Sequence, residues 1–268
     1  MKFRKIIALL LAAFMCMAVF TGCAGSDWKY IEKKGEMTIG ITLFAPMNYY
    51  DANNNLTGFE TEFATEVCKR LGVTPKFQII DWNSKETELN SKNIDCIWNG
   101  MTITDERRQT MDITTEYMEN KQVIVATAAR AAEFVEAEAF VGATVVAEEG
   151  SAGEEVAQSE NLFSASQYTA VDSQAKALLE VKSGTADMAV IDYVMSIGSI
   201  GEGTDYSDLV IIDQYEFAPE MYGVAFRKNS PETLDKVNAV IDEMKMDGTL
   251  DEIAAKYKLD ELIIKAVG

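Results

Sequence analysis

An arginine placed shortly after a glycine-and-hydroxyl turn is suited to holding a small anion, and residues 99–107, Asn-Gly-Met-Thr-Ile-Thr-Asp-Glu-Arg, have that form. The run follows an apolar stretch from Ile94 to Trp98. A strand that ends there presents backbone N–H groups around Gly100, the Thr102 hydroxyl and the Arg107 guanidinium to one point. Guanidinium donors are planar and meet a carboxylate with two parallel hydrogen bonds. Taken alone, Arg107 and Arg108 read equally well as the solvated start of a helix. A second apolar stretch, Met188 to Ile191, ends in Asp192. An acid at the carboxyl end of a buried strand sits where open α/β sheets place their ligand crevices. Gly150-Ser151-Ala152-Gly153 follows a strand-like run and opens a helix, so its free N–H groups and the helix dipole favour an anion, although most such turns are only caps.

An arginine for a carboxylate and an aspartate for an ammonium together describe a receptor for an α-amino acid. Other chemistry is limited by composition. The chain has no histidine, which excludes Ser-His and Cys-His nucleophile pairs, histidine bases and the usual histidine-containing zinc sites. Asp51 to Asn55 with Glu62 mimics calcium-loop spacing, but Leu56 stands where the sharp turn needs glycine, so a hairpin turn is expected and no metal site. No cofactor is implied. Trp98, inside an apolar strand, fits the core or the rim of a pocket equally.

The elements that must position these residues alternate between strand-like and helix-like patterns, which implies α/β architecture with mostly parallel sheets. Met37 to Ile41 reads as the first strand. Phe59, Phe63, Val67 and Leu71 recur at helical spacing with Gly72 as a stop. Strands follow at Lys76–Ile80 and Ile94–Trp98, around a short helix near Lys85–Ser91. After Glu119–Gln122 the pattern gives a helix near Ala132–Glu138, a strand at Thr144–Ala147, a helix over Ser173–Lys182, and strands at Met188–Ile191 and Leu209–Ile212. Met221–Phe226 and two helices, Pro231–Met246 and Thr249–Tyr257, close the chain.

With 268 residues and 48% apolar content, the chain sits near the size at which a core divides in two. Its start is basic, and Ile6 to Phe20 has the length of a signal-peptide apolar region, too short to span a membrane. Removing residues 1–22 takes away Lys2, Arg4 and Lys5 and no acid, so the formal charge of −19 becomes −22. Such acidity argues against nucleic acid and anionic membrane as partners. Cys16 leaves with that segment, and Cys68 and Cys96 both fall in apolar patterns. Two buried thiols are the default reading, and export also permits a disulfide.

In these motifs the chain resembles the solute-binding proteins of amino-acid ABC transporters, the bilobal family of the histidine- and glutamine-binding proteins. The matching residues are Ala45-Pro46, Leu56-Thr57-Gly58-Phe59-Glu60, Asp95 to Arg107, Gly150 to Glu154, Asp192 and Asp247-Gly248-Thr249-Leu250. The resemblance implies a two-lobed, periplasmic-binding-protein-like (type II) fold, each lobe a mostly parallel sheet flanked by helices. Lobe 1 would comprise 36–119 and 218–268, and lobe 2 would comprise 120–217, with hinge strands near 119–123 and 213–220. It carries the ligand carboxylate to Arg107, the Thr102 N–H and the backbone of Ser151 and Ala152. The ammonium falls to Asp192, the Gly100 carbonyl and the Thr102 hydroxyl. Phe44 and Trp82 match positions where the family places walls against the ligand side chain. The family's lysine, arginine and histidine binders usually carry an aspartate before Phe44, where this chain has Ile41-Thr42-Leu43, so a neutral or polar amino acid is favoured.

Phe20-Thr21-Gly22-Cys23 resembles a bacterial lipobox, with Phe20 in place of a leucine-like residue; ordinary cleavage near Ala24 is the alternative. Lipidated Cys23 would tether a linker, 23–35, to a membrane at the cell surface or in the periplasm. The implied partners are a free amino acid and the membrane permease of an ABC importer, with the protein itself a monomer and not an enzyme. The alternative is an exported enzyme resembling cyclohexadienyl dehydratases on the same fold, favoured if a general acid such as Glu148, Glu149 or Glu220 stands over the pocket.

Overall fold

The computed structural model describes residues 26–266; the expected signal segment 1–22 and Cys23 lie outside the described residues. In chain order, α1 (Asp27–Lys34) and β1 (Glu36–Ile41) precede a hairpin of β2 (Tyr49–Tyr50) and β3 (Leu56–Thr57). Then come α2 (Phe59–Leu71), β4 (Thr74–Ile79), α3 (Lys85–Asn90), β5 (Cys96–Ile97), α4 (Asp105–Thr110) and β6 (Met111–Ile113). The chain crosses through β7 (Met118–Asn120) into β8 (Gln122–Thr127), β9 (Thr144–Glu148), α5 (Ala152–Ser159), β10 (Gln167–Val171), α6 (Gln174–Ser183), β11 (Met188–Asp192), α7 (Tyr193–Ser199) and β12 (Leu209–Ile211). It returns through β13 (Glu220–Tyr222) to β14 (Ala225–Arg227), α8 (Pro231–Met246) and α9 (Thr249–Lys256).

Two five-stranded sheets result, ordered β4-β1-β5-β14-β6 and β10-β9-β11-β8-β12. In each, four strands point one way and one is reversed: β14 pairs antiparallel with β5 and β6, and β8 with β11 and β12. The reversed strand is in both cases the first one laid down after the chain arrives from the other lobe. The crossings β7 and β13 pair with each other, antiparallel, so two strands join the lobes. The carboxyl ends of β1 and β5 in one lobe and of β9 and β11 in the other therefore face a common cleft.

Local chemistry accounts for these elements. In α2 the buried face is Phe59, Phe63, Ala64, Val67 and Cys68, and Gly72 at φ +75° ends the helix with its N–H turned back onto Cys68 and Lys69 carbonyls. Ser173 caps α6 through Lys176 N–H. Asp51 accepts from the N–H groups of Asn53 and Asn55, both at 2.8 Å, which makes the expected hairpin turn, while Glu62 engages Lys256 and Tyr257 instead. Trp98 belongs to the core: it is fully buried, edge-to-face on Phe63 at 5.0 Å. Cys68 and Cys96 are buried free thiols.

Two expectations are corrected. The helix near Ala132–Glu138 is replaced by two 3-10 turns, Ala131–Glu133 and Ala137–Phe140. Phe134 and Phe140 are both buried, yet residues six apart lie about 120° apart around an α-helix, so the break lets both reach the same core. The segment 23–35, expected as a linker, becomes α1 from Asp27 onward. Trp28 and Ile31 are buried, and Asp27 pairs with Arg227 at 2.7 Å in a network that also holds Asp95 and Lys34. The sequence pattern also passed over β10, whose residues are largely exposed on a sheet edge, and the short α7. Among the described residues no helix is long and apolar enough to cross a membrane.

Candidate functional site

Asp192 ends β11 and Glu148 ends β9, its neighbour in the sheet, so two acids stand side by side at one strand edge. Asp192 is buried and supplied with donors: Asn120 at 2.6 Å, Gln122 at 2.8 Å and Gln174 all give it side-chain N–H bonds. Glu148 is equally buried, but its Oε1 has no partner. Burial and then the Asp192 charge push its carboxyl from 4.5 to about 8. Glu220, on the returning crossing, accepts from Thr102 Oγ1 at 3.0 Å and from Asn120 and Gln122, and burial with the Asp192 charge raises it to about 7.

The opposing face comes from loops of lobe 1. Gly100, at φ +51°, follows β5, and its N–H donates to buried Glu60 at 2.7 Å. Glu60 also accepts from Asn48 and Tyr117, and burial lifts it to about 7. Asn99 ties the same turn to Thr42 in both directions, at 2.7 and 2.6 Å. Thr104 caps α4 and so aims Arg107, whose guanidinium donates to the Thr102 carbonyl at 2.7 Å and, across the cleft, to the Gly150 carbonyl at 3.2 Å. Lys85 also reaches Gly150, at 3.1 Å, while lying 4.7 Å over the Trp82 ring. Burial, reinforced by Arg107, lowers its ammonium to about 8. On the cleft's other flank Gly198 of α7 abuts the Ala45-Pro46 backbone so closely that a Cβ would come within 2.5 Å of Pro46 N. The lobes are in contact along both sides.

Between them lies a cavity of about 10 Å³, with room for roughly one water. Trp82, Gly100, Thr102, Arg107, Ser151, Ala152 and Asp192 line it together with Asn99, Glu148 and Gln174. Seven of the eight ligand-binding residues expected from sequence thus meet around one point. Phe44 lies behind it, its ring against Gly100, facing instead a separate cleft of about 550 Å³ with Tyr49, Tyr50 and Met195. A larger cleft of about 580 Å³ shares Thr102 and Ala152 but includes neither Arg107 nor Asp192, so we place the site in the smaller one. Ser151 spends its hydroxyl as the cap of α5, accepting from Glu154 N–H at 3.0 Å, and its own N–H on the Glu148 carbonyl at 3.2 Å, so the N–H groups of the turn after it are what the helix start offers the cavity. Lys85 and Gln174 were missed by sequence reasoning, since neither stands in a motif; Gln174 is 18 residues from the aspartate it props.

Residues 37–260 match the family described as bacterial extracellular solute-binding proteins, family 3. The L-cystine-binding protein TcyA of Bacillus subtilis (strain 168) is 30% identical, over 92% of this chain and 96% of that one. A histidine-bound substrate-binding protein of an ABC uptake transporter from Streptococcus pneumoniae superposes with a TM-score of 0.79 at 27% identity, over 90% and 100% of the two chains. An ancestral amino-acid-binding protein described as a precursor of cyclohexadienyl dehydratase gives 0.78 at 29%, over 87% and 99%. The chain belongs to family 3 of the bacterial extracellular solute-binding proteins and has their two-lobed fold.

Proposed function

We propose that this family 3 member captures an α-amino acid with a neutral or polar side chain in its interlobe cavity and delivers it to an ABC importer, without altering it. One observation carries the reading: Arg107 of lobe 1 and Asp192 of lobe 2, opposite charges suited to the two ends of a zwitterion, line the same cavity. In this reading Arg107, the Thr102 N–H and the Ser151 and Ala152 backbone hold the carboxylate. Asp192, the Gly100 carbonyl and Thr102 Oγ1 take the ammonium, and Trp82 and, from behind, Phe44 wall the side chain. The lobes run 36–119 with 218–268, and 120–217, and hinge where β7 and β13 pair. The cavity is smaller than any amino acid, so entry requires the lobes to part and binding to draw them together. The absence of an acid before Phe44 supports a neutral or polar side chain, the class of the cystine named for one relative, while others are named for arginine and histidine.

A thermal-shift screen against the amino acids tests this, because a ligand far above its dissociation constant stabilises the fold by several kcal/mol. Scattering should then report a smaller radius of gyration with the hit, and the hit should be recovered unchanged after long incubation. In the cell the protein would act as a monomer, held by lipidated Cys23 at a membrane. Cys23→Ala should release it into the medium or periplasm, and continued membrane retention would reject the anchor. Glu148 gives a second reading its one specific support: a carboxyl that keeps its proton near neutral pH over the cavity is equipped as a general acid. Turnover of a carboxylate substrate that disappears in Glu148→Gln would establish the dehydratase-like enzyme in place of the receptor.

A further inference from the structure

The side-chain donors of Lys85, Arg107, Gln174 and Asn99 are directed at other acceptors, and none reaches Glu148. Lys85 Nζ donates to the Trp82 and Gly150 carbonyls at 3.2 and 3.1 Å. Arg107 is turned onto the Thr102 and Gly150 carbonyls. Gln174 gives its amide N–H to Asp192, and Asn99 gives its own to Thr42 at 2.6 Å. Neighbouring Asp192 receives three amide donors; Glu148, at the end of the adjacent strand, receives none, although it is 5% exposed and borders the cavity. A buried polar atom without a partner carries a desolvation cost that a partner supplied later removes. In the proposed reading the carboxylate donors come from Arg107 and the α5 N-terminus and Asp192 has the ammonium, which leaves Glu148, among the lining residues, with no part of the ligand's backbone to hold.

We propose that Glu148 reads the ligand's side chain by accepting a hydrogen bond from an N–H or O–H donor on it, so that the site selects donor-bearing amino acids and rejects apolar ones of the same shape. The inference rests on the amino-acid-receptor reading and narrows its substrate class. A site built around such a bond discriminates strongly, because an apolar analogue leaves the carboxyl buried and unpaired.

Calorimetry on the wild type, E148Q and E148L with near-isosteric pairs tests it: glutamine against methionine, lysine against norleucine, histidine against phenylalanine. The wild type should prefer the donor-bearing member of the pair it accepts by at least tenfold. E148L should lose that preference by tenfold or more, while E148Q, whose amide oxygen still accepts, should keep it within about fivefold. The same ranking in all three proteins, or a wild type that prefers the apolar member, overturns the role of Glu148 while leaving the receptor intact. A wild type that binds no amino acid removes the receptor reading and this inference with it. If E148L does not fold, a crystal structure of the wild type with its tightest ligand decides. A Glu148 oxygen within about 3.2 Å of a side-chain donor is expected; one that meets only water overturns the proposal.

Discussion

Lobe 1 brings cations to the cleft, Arg107 on α4 and Lys85 on α3, whereas lobe 2 brings acids, Glu148 and Asp192, at the ends of neighbouring strands. The supporting structures differ as well. Lobe 1 shapes its face with irregular turns, and holds them from beneath through Glu60, Asn48, Asn99 and Thr42. Lobe 2 uses regular strand ends, with Asp192 propped by side-chain amides from three other positions. The contrast teaches how such a cleft can be closed by its cargo. In the proposed reading, one lobe alone supplies only part of what a zwitterion needs, so the ligand would have its full affinity only for the closed form, and that difference would move the equilibrium.

The largest test of the comparison removes one charge from each side. Arg107→Ala and Asp192→Ala should each weaken amino-acid binding by roughly thirtyfold or more, from the ~2–5 kcal/mol typical of truncating one partner of a buried charge pair. The lobes should differ in stability, however. Asp192→Ala leaves Gln174 without its acceptor and Asn120 and Gln122 with Glu220 alone, and should cost about 1–3 kcal/mol in denaturant unfolding, while Arg107→Ala should cost little. Equal stability losses would break the contrast between propped strand end and surface turn.

Next, Gly198→Val places a side chain against the Pro46 backbone, where even a Cβ is too close. Overpacking of this kind costs ~1–3 kcal/mol, here charged to the closed form alone, so affinity should fall about tenfold and the ligand-induced compaction in scattering should shrink. Normal compaction with normal affinity would show that the lobes close along another path.

The buried acids respond to pH. Glu60 and Glu220 at about 7 and Glu148 at about 8 all lie above the ordinary 4.5, so the folded protein keeps protons that the unfolded chain releases. The stabilisation is whole below pH 4.5 and is lost as pH rises through 7 and 8. Unfolding free energy of the ligand-free protein should therefore decline from about pH 5 to 8, by at most ~1.4 kcal/mol per pH unit for each group. Glu148→Gln should flatten the decline up to pH 8. A stability that rises over this range would contradict the burial of these carboxyls. Smallest of all, Asp51→Ala at the hairpin tip should shift stability by less than about 1 kcal/mol and leave ligand affinity unchanged, with no response to added calcium.

Much of this was legible in the chain itself. The helical spacing of Phe59, Phe63 and Val67 with Gly72 behind them, the apolar runs at Met37 and Met188, and the Gly100-to-Arg107 and Gly150-to-Gly153 turns are local patterns, and each element they announced is present. The misses share a cause. Phe134 and Phe140 sit in a segment of helix-forming composition, but a core elsewhere in lobe 2 claims both rings and breaks it. Trp28 and Ile31 are too few to announce a helix until α8 and β1 cover them.

At the site, residue types and their order along the chain determined by themselves that an arginine and an aspartate would end two buried runs, since a guanidinium after a Gly-Thr turn and an acid after an apolar strand are local facts. That Asp192 would be saturated with amides, that Lys85 would cross to Gly150, and that Glu148 would be left bare were decided only by the tertiary structure. Hydrogen-bond satisfaction is a property of groups brought together from distant positions, and no spacing along the chain records which donor a fold has already used.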